Sequence, residues 1–210
     1  MSKAHVSDAV IRRLPMYYRH LKELERAGVE RISSRELGER MNLTASQIRQ
    51  DINSFGGAGR QGYGYQVREL KEHIRRTMGL DRGHRMVILG AGRMGMAVAN
   101  YASFSREGFV FTALFDVDPE KFRPEQDGIP VYPVGELKDR LPGLHADIGV
   151  LALPAEEAQE ALNTLYELGL RAVWNFAPVD LHYPRDMVVV NVHLSDSLHI
   201  LSYLMRHAND

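Results

Sequence analysis

The 210-residue chain contains no cysteine, which excludes disulfides, thiolate metal sites and a cysteine nucleophile. No apolar run is long enough to cross a membrane, and the polar start, residues 1–7, is not the pattern of a secretory leader. A cytoplasmic protein without membrane contact is the expectation. The chain also lacks a G-x-S-x-G nucleophile elbow and any His, Asp or Glu spacing suited to a metal ion. Internal repeats and low-complexity tracts are missing. What remains is 44% hydrophobic and 25% charged, the balance of a globular protein with one large or two small domains.

Net charge is nearly absent too, but the formal −1 conceals a split. Residues 1–80 carry 15 Lys and Arg against 9 Asp and Glu, whereas residues 81–210 carry 11 against 18. A basic first part on an acidic remainder suggests a polyanion-binding module joined to something else.

In the basic part, residues 7–27 read as a helix with apolar positions at Val10, Leu14, Tyr17, Leu21 and Leu24. Pro15 is expected to kink it or mark a restart, and Gly28 to stop it. Two capping boxes follow. Ser33 with Glu36 opens a helix running to about Met41, and Thr44 with Gln47 opens another running to about Phe55. Only Asn42 and Leu43 separate them, which suggests a helix-turn-helix. The second helix carries Thr44, Ser46, Gln47, Arg49, Gln50 and Asn53, groups able to bond base edges and phosphates. Residues 56–64 then hold glycines at 56, 57, 59, 62 and 64, with Arg60 and Gln61 at the centre, before Tyr63, Tyr65 and Val67 alternate as in a strand. This reads as a wing whose Arg60 reaches a minor groove or phosphates. A phosphate-cradling loop and a plain flexible loop are the competing readings. A connecting helix over residues 68–79 leads to a domain boundary at Asp81-Arg82-Gly83.

Residues 86–118 form a dinucleotide-binding fingerprint. Gly90, Gly92 and Gly95 give G-x-G-x-x-G between an apolar run and a helical pattern, and Asp116 follows Gly95 by 21 residues at the end of a second apolar run. Gly90 permits the tight turn, Gly92 lets backbone approach a pyrophosphate, and Gly95 allows close helix–strand packing. The pyrophosphate meets the positive end of a helix. Asp116 accepts hydrogen bonds from a ribose diol, favouring NAD(H) over a 2′-phosphorylated cofactor. The bland alternative is a glycine-tolerant turn with no ligand. Strands are expected at 87–89, 110–115, 147–153, 172–175 and 187–192, with helices at about 93–104, 135–141 and 155–168. That alternation is a doubly wound α/β domain. The last segment, residues 195–208, is helical with Leu198, Leu201, Leu204 and Met205 on one face, free to pack in cis or against a second subunit. No substrate domain follows the cofactor fold. His182, His193 and His199 are expected to be structural, so the sequence supports dinucleotide binding without turnover, and no enzyme is expected.

The motifs together resemble one family, the Rex redox-sensing transcriptional repressors, over nearly the whole chain. The resemblance is carried by Arg13-Leu14-Pro15 with Tyr18, Ile32-Ser33-Ser34, Ser46-Gln47-Ile48-Arg49 with Asp51, and Gly62-x-Gly64-Tyr65. In the second part it is carried by Gly90-Ala91-Gly92, Tyr101, Phe115-Asp116-x-Asp118-Pro119, Leu153-Pro154, Ala158-Gln159 and Asn175-Phe176-Ala177-Pro178. The resemblance implies a homodimer. Residues 1–80 would be a winged helix on palindromic operator DNA, with Arg13, Thr44, Ser46, Gln47, Arg49, Gln50, Asn53, Arg60, Gln61 and Tyr63 at the DNA. Residues 81–194 would be a Rossmann domain sensing NADH and NAD+. Its ligand-facing positions would be Gly90 to Gly95 (Ala91, Arg93 and Met94 included), Tyr101, Asp116, Val117, Asp118, Leu153, Pro154, Asn175, Phe176, Ala177 and Pro178. Residues 195–210 would be a helix swapped into the partner, and NADH would close the dimer and release DNA.

Four positions depart from the family pattern. Arg93-Met94 replaces the frequent Asn-Leu, and Gln50 replaces the usual Lys. Arg60-Gln61 holds an amide where Arg is usual in the second place. His193 stands where many members have an Asp that pairs with the first helix's arginine, so that contact has no acid here. Fewer cations at the DNA predict a shifted operator preference and a shallower salt slope. Two other functions remain open on the sequence: an NADH-dependent reductase with an accessory domain, and a nucleotide- or coenzyme-A-binding subunit of an enzyme complex.

Overall fold

The computed structural model describes residues 6–57, 63–125 and 128–208. It divides into two compact units, Met1–Arg82 and Gly83–Asp210.

The first unit is a small helical body. Its elements are α1 (Asp8–Arg26), β1 (Arg31–Ile32), α2 (Ser34–Met41), α3 (Ala45–Ser54), β2 (Tyr65–Gln66) and α4 (Val67–Thr77). The helical stripe of α1 is buried at all five expected positions, from Val10 to Leu24. Pro15 lies inside one continuous helix rather than breaking it. A proline inside a helix costs roughly 3 kcal/mol; the buried stripe runs past it on both sides and outweighs that cost. At the C-terminus Gly28 adopts φ +74°, and Val29 N–H closes back on the Leu24 carbonyl at 3.0 Å. That closure ends the helix, as a glycine there allows. Leu37, Met41, Ile48, Ile52, Leu70 and Ile74 complete the core against α1.

Both short helices start where their caps are. Ser33 Oγ accepts from Glu36 N–H at 3.1 Å and Glu36 Oε2 accepts from Ser33 N–H at 2.8 Å, a reciprocal box. Thr44 Oγ1 accepts from Gln47 N–H at 3.1 Å, but the expected return contact is absent, because Gln47 Nε2 donates to Asp51 Oδ1 instead. A buried carboxylate one turn along attracts the amide more strongly than a solvated backbone N–H. The strand expected through Tyr63, Tyr65 and Val67 is short. Only Tyr65–Gln66 pairs, antiparallel with β1, and Val67 already opens α4. Arg60 and Gln61 lie outside the described residues.

The second unit is a six-stranded parallel sheet of β3 (His84–Leu89), β4 (Phe109–Asp116), β5 (Val131–Pro133), β6 (Ile148–Leu151), β7 (Ala172–Asn175) and β8 (Val188–Asn191). The order is β5-β4-β3-β6-β7-β8, the doubly wound arrangement with its reversal between β3 and β6. Alternate residues of β3 point to opposite faces: Val87 and Leu89 join one core layer, Met86 and Ile88 the other. Helices α5 (Arg93–Ala99), α6 (Ser103–Arg106), α7 (Leu137–Leu144) and α8 (Ala155–Glu167) connect the strands. The helix expected over 93–104 is therefore two helices, broken so that Tyr101 sits on the turn between them, 58% exposed. The last helix, α9 (Leu194–His207), buries none of its residues, so its apolar face does not pack in cis. Among the described residues no helix is long and apolar enough to cross a membrane.

Candidate dinucleotide cleft and nucleic-acid interface

A cleft of about 640 Å³ opens at the C-terminal ends of β3, β4 and β6, the place where a doubly wound sheet binds ligands. The glycines divide their work as their spacing suggests. Gly90 has φ +101°, and a Cβ there would lie 2.3 Å from the Ala152 carbonyl oxygen. A Cβ on Gly95 would lie 1.9 Å from the Gly90 carbonyl oxygen, so α5 packs directly on the turn. Gly92 meets nothing within 4 Å and lines the cleft. It is also the N-cap of α5, with no side-chain cap over the helix start. An open glycine at an uncapped helix start is a cradle for a phosphate group.

Asp116 lines the cleft and is also engaged within the protein. It is buried, and its carboxylate is surrounded by the chain's own donors. Ala91 N–H donates to Oδ2 at 2.6 Å, Asp118 N–H to Oδ1 at 3.0 Å, and Lys121 Nζ to both oxygens at 3.1 and 3.2 Å. Burial works to raise the Asp116 pKa; the Asp118 and Ala91 N–H groups and the Lys121 ammonium outweigh it and hold the carboxyl below its usual range. The pairing with Asp116 in turn holds the Lys121 ammonium above its usual value. A carboxylate offers about four lone-pair sites, and these contacts occupy them. Asp116 thus braces the glycine turn. Asp118, 39% exposed at its side chain, follows the exposed Val117. Asp118 Oδ1 caps the short turn Pro119–Lys121 by accepting from Glu120 N–H at 3.1 Å. That turn brings Lys121 back to Asp118, three residues before it, and to Asp116, five before it. Lys121 and Lys138 line the cleft and were not singled out from the sequence; the Asp-Pro start of the turn was the signal for the first.

Of the other expected positions, Leu153 and Pro154 line the same cleft. Arg93 and Met94 are exposed at the start of α5, and Ala91 is buried in the turn. Asn175 is fully buried and organises the segment after β7. Its Oδ1 accepts from Ala177 N–H at 3.0 Å, and its Nδ2 donates to Val179 O at 2.9 Å and to Asn191 Oδ1 at 3.0 Å. Ala177 is buried in the core and Pro178 is exposed. Phe176 packs edge-on against Trp174 at 4.5 Å, Trp174 against Phe104 at 5.6 Å, and Phe104 against Tyr101 at 4.9 Å. Tyr101 and Phe176, distant in sequence, are joined by this aromatic chain. His193 has an acid of its own: Asp180 Oδ1 lies 3.2 Å from its Nε2 and also accepts from Asn191 Nδ2 at 2.9 Å. Among the described residues no group of His, Cys, Asp or Glu could hold a metal ion.

In the first unit, α3 buries Ile48, Asp51 and Ile52 and exposes Ser46, Arg49, Gln50 and Asn53, one helical face of the residues expected at DNA. Thr44 is exposed at the cap and Tyr63 is 71% exposed. Arg49 Nη1 donates to Ser34 Oγ at 3.1 Å, which ties the exposed face to α2. Arg13 does not stand free. It donates from Nε and Nη2 to Asp51 at 2.6 and 2.8 Å, while Tyr17 Oη donates at 2.9 Å and Gln47 Nε2 at 2.6 Å to the same carboxylate. Asp51 is 1% exposed. Burial alone would raise its pKa, but the Arg13, Gln47 and Tyr17 donors hold it below the usual range. Burial and that carboxylate push the Tyr17 phenol up, and the same pairing pushes the Arg13 guanidinium up. Arg13 therefore fastens α1 to α3.

Both units match known proteins. Residues 5–53 match the family model "Putative DNA-binding protein N-terminus", and residues 81–179 match "CoA binding domain". A curated "Redox-sensing transcriptional repressor Rex" of Thermoanaerobacter pseudethanolicus is 48% identical over 96% of this chain and 90% of its own length. That of Clostridium perfringens is 47% identical over 98% and 97%. Among solved structures, a Rex-family repressor, RSP, in complex with β-NADH superposes with a TM-score of 0.90 at 45% identity, covering 97% of this chain and 96% of its own. RSP in complex with β-NAD+ and operator DNA superposes with a TM-score of 0.91 at 47% identity, covering 98% and 94%.

Proposed function

This chain belongs to the Rex family of redox-sensing transcriptional repressors, and from that membership we propose that it reads the balance of NADH and NAD+ and releases operator DNA when NADH is bound. The observation that carries the reading is the braced glycine turn over an open cleft in the same chain as a helix-turn-helix with a polar, cationic outer face. The dinucleotide is a ligand to be read and the protein is not an enzyme. The match to a coenzyme-A model reflects the shared doubly wound fold; the full-length relatives decide between the ligands.

In this reading residues 1–80 bind DNA, residues 81–194 bind the dinucleotide and residues 195–210 serve dimerisation. Gly90, Gly92 and the start of α5 hold the pyrophosphate, with Arg93 able to pair with it. Asp118 accepts from the adenosine ribose and Asp116 keeps the turn in shape. Leu153, Pro154 and the Phe176 segment border the nicotinamide, whose ring is charged in NAD+ and neutral in NADH. Apolar walls penalise the charged ring by desolvation, which gives the two ligands different preferred surroundings. A ligand shifts a conformational equilibrium only by such a difference.

The apolar α9, with Leu198, Leu201, Leu204 and Met205 each more than half exposed, is the surface on which two copies of this chain associate. Two recognition helices then meet the half-sites of a palindrome, whose spacing the dimer must match. The protein works in the cytoplasm. The test is fluorescence anisotropy of a labelled operator at fixed salt with NADH, NAD+, NADPH or coenzyme A. Loss of binding on NADH alone supports the reading. Release by coenzyme A, or no specific DNA binding in any state, contradicts it.

A further inference from the structure

We propose that Gln47 reads the edge of an adenine in the operator, and that Asp51 fixes which end of its amide faces the DNA. The inference rests on the DNA-binding reading above and adds to it a base and a reason.

Gln47 is the third residue of α3, and the first turn of a recognition helix is the part that reaches base edges in the major groove. Its side chain is half-buried, between the core face of Ile48 and Ile52 and the exposed face of Ser46, Arg49, Gln50 and Asn53. Asp51 lies one helical turn on, so the two side chains share a side. Gln47 Nε2 stands 2.6 Å from Asp51 Oδ1. An ionised carboxylate only accepts, so the amide nitrogen must face inward. The carboxylate cannot turn to suit the glutamine, because Arg13 grips both of its oxygens and Tyr17 donates to one of them.

The outward side of the amide is therefore fixed. It offers Oε1 as an acceptor and the second N–H of Nε2 as a donor. Adenine shows the complement in the major groove, an N7 acceptor beside an N6 donor. Guanine shows two acceptors, N7 and O6, and would set its O6 against Oε1. Were residue 51 an amide, Gln47 could turn its oxygen inward and present two N–H donors, which suit guanine. Asp51 is thus a positioning residue for base choice as well as a brace between α1 and α3.

The test begins with an operator selected from a random DNA pool, followed by anisotropy at fixed salt on variants with each base pair of a half-site changed in turn. Gln47→Ala should lose discrimination at one A·T pair by about tenfold, with the other positions unchanged. Asp51→Asn should relax adenine over guanine at that same pair. Gln47 is partly exposed and not in the core, so Gln47→Ala keeps the test valid if Asp51→Asn fails to fold. An affinity loss of equal size on every sequence, or an unchanged profile, would overturn the inference and leave the DNA-binding reading standing. A wild-type protein with no selected operator would overturn both.

Discussion

The N–H of Ala91 donates to the Asp116 carboxylate at 2.6 Å across 25 residues of sequence, joining the glycine turn to the end of the neighbouring strand. The acid of the fingerprint thus holds up the turn that would hold the phosphates. The Asp118 and Ala91 N–H groups, with Lys121 bonded to both oxygens, hold that acid below its usual pKa. The substitution Asp116→Asn keeps the shape but loses the ion pair and turns one acceptor into a donor facing an N–H. Hydrogen bonds to charged groups contribute about 1.5–3 kcal/mol each. NADH affinity, followed by its fluorescence on titration, should fall at least about tenfold while DNA binding without NADH is unchanged.

Two of the glycines should separate in their effects. Gly92→Ala adds a methyl where nothing lies within 4 Å, so the fold should persist and NADH affinity should drop. Gly95→Ala meets the Gly90 carbonyl at 1.9 Å and should lower the unfolding midpoint of the protein itself. Thermal unfolding of both variants without ligand checks the difference. Equal destabilisation by the two would contradict it.

Acid should loosen the first unit through Asp51. Its folded pKa is depressed, so the unfolded chain binds more protons in the window below the unperturbed value of about 3.9. The stabilisation is fully present above that value and is lost as pH falls through the folded pKa. Asp51→Asn should lose roughly 2–3 kcal/mol at neutral pH, since it leaves Arg13 without its carboxylate while that side chain keeps a quarter of its exposure. The difference from wild type should shrink below pH 4. Urea midpoints across pH measure both effects.

Removal of α9 should leave the two folded units intact, because the helix buries no residue of its own. A chain truncated after Ser195, or carrying Leu201→Glu with Leu204→Glu, should sediment as a smaller species than the full chain. The truncated chain should bind operator only weakly, one half-site at a time, and that residual binding should no longer respond to NADH. Normal release would place the coupling elsewhere.

Much of this was legible in the chain because the signals are local. The stripe from Val10 to Leu24, the Ser33 box and the G-x-G-x-x-G turn each declare themselves within a few residues, and each lies where expected. The failures are at contacts between distant residues. Gln47 was expected to return to its own cap, but Asp51 is held by Arg13, 38 residues away. Asp116, expected at the ribose, does line the cleft, but its bonds to Ala91 and Lys121 were not foreseen. The strand Val131–Pro133 was missed because three residues carry no period; it exists through its pairing with Leu114–Asp116. The break before Ser103 was missed because Asn100–Ala102 hold no glycine or proline to announce it.

The central claim is that one chain couples a dinucleotide cleft to an operator-binding face, and coupling between binding sites is reciprocal. The direct measurement is NADH affinity by titration calorimetry with and without saturating operator DNA. The account predicts that operator weakens NADH binding by the same factor by which NADH weakens operator binding. An NADH affinity unchanged by operator would contradict it.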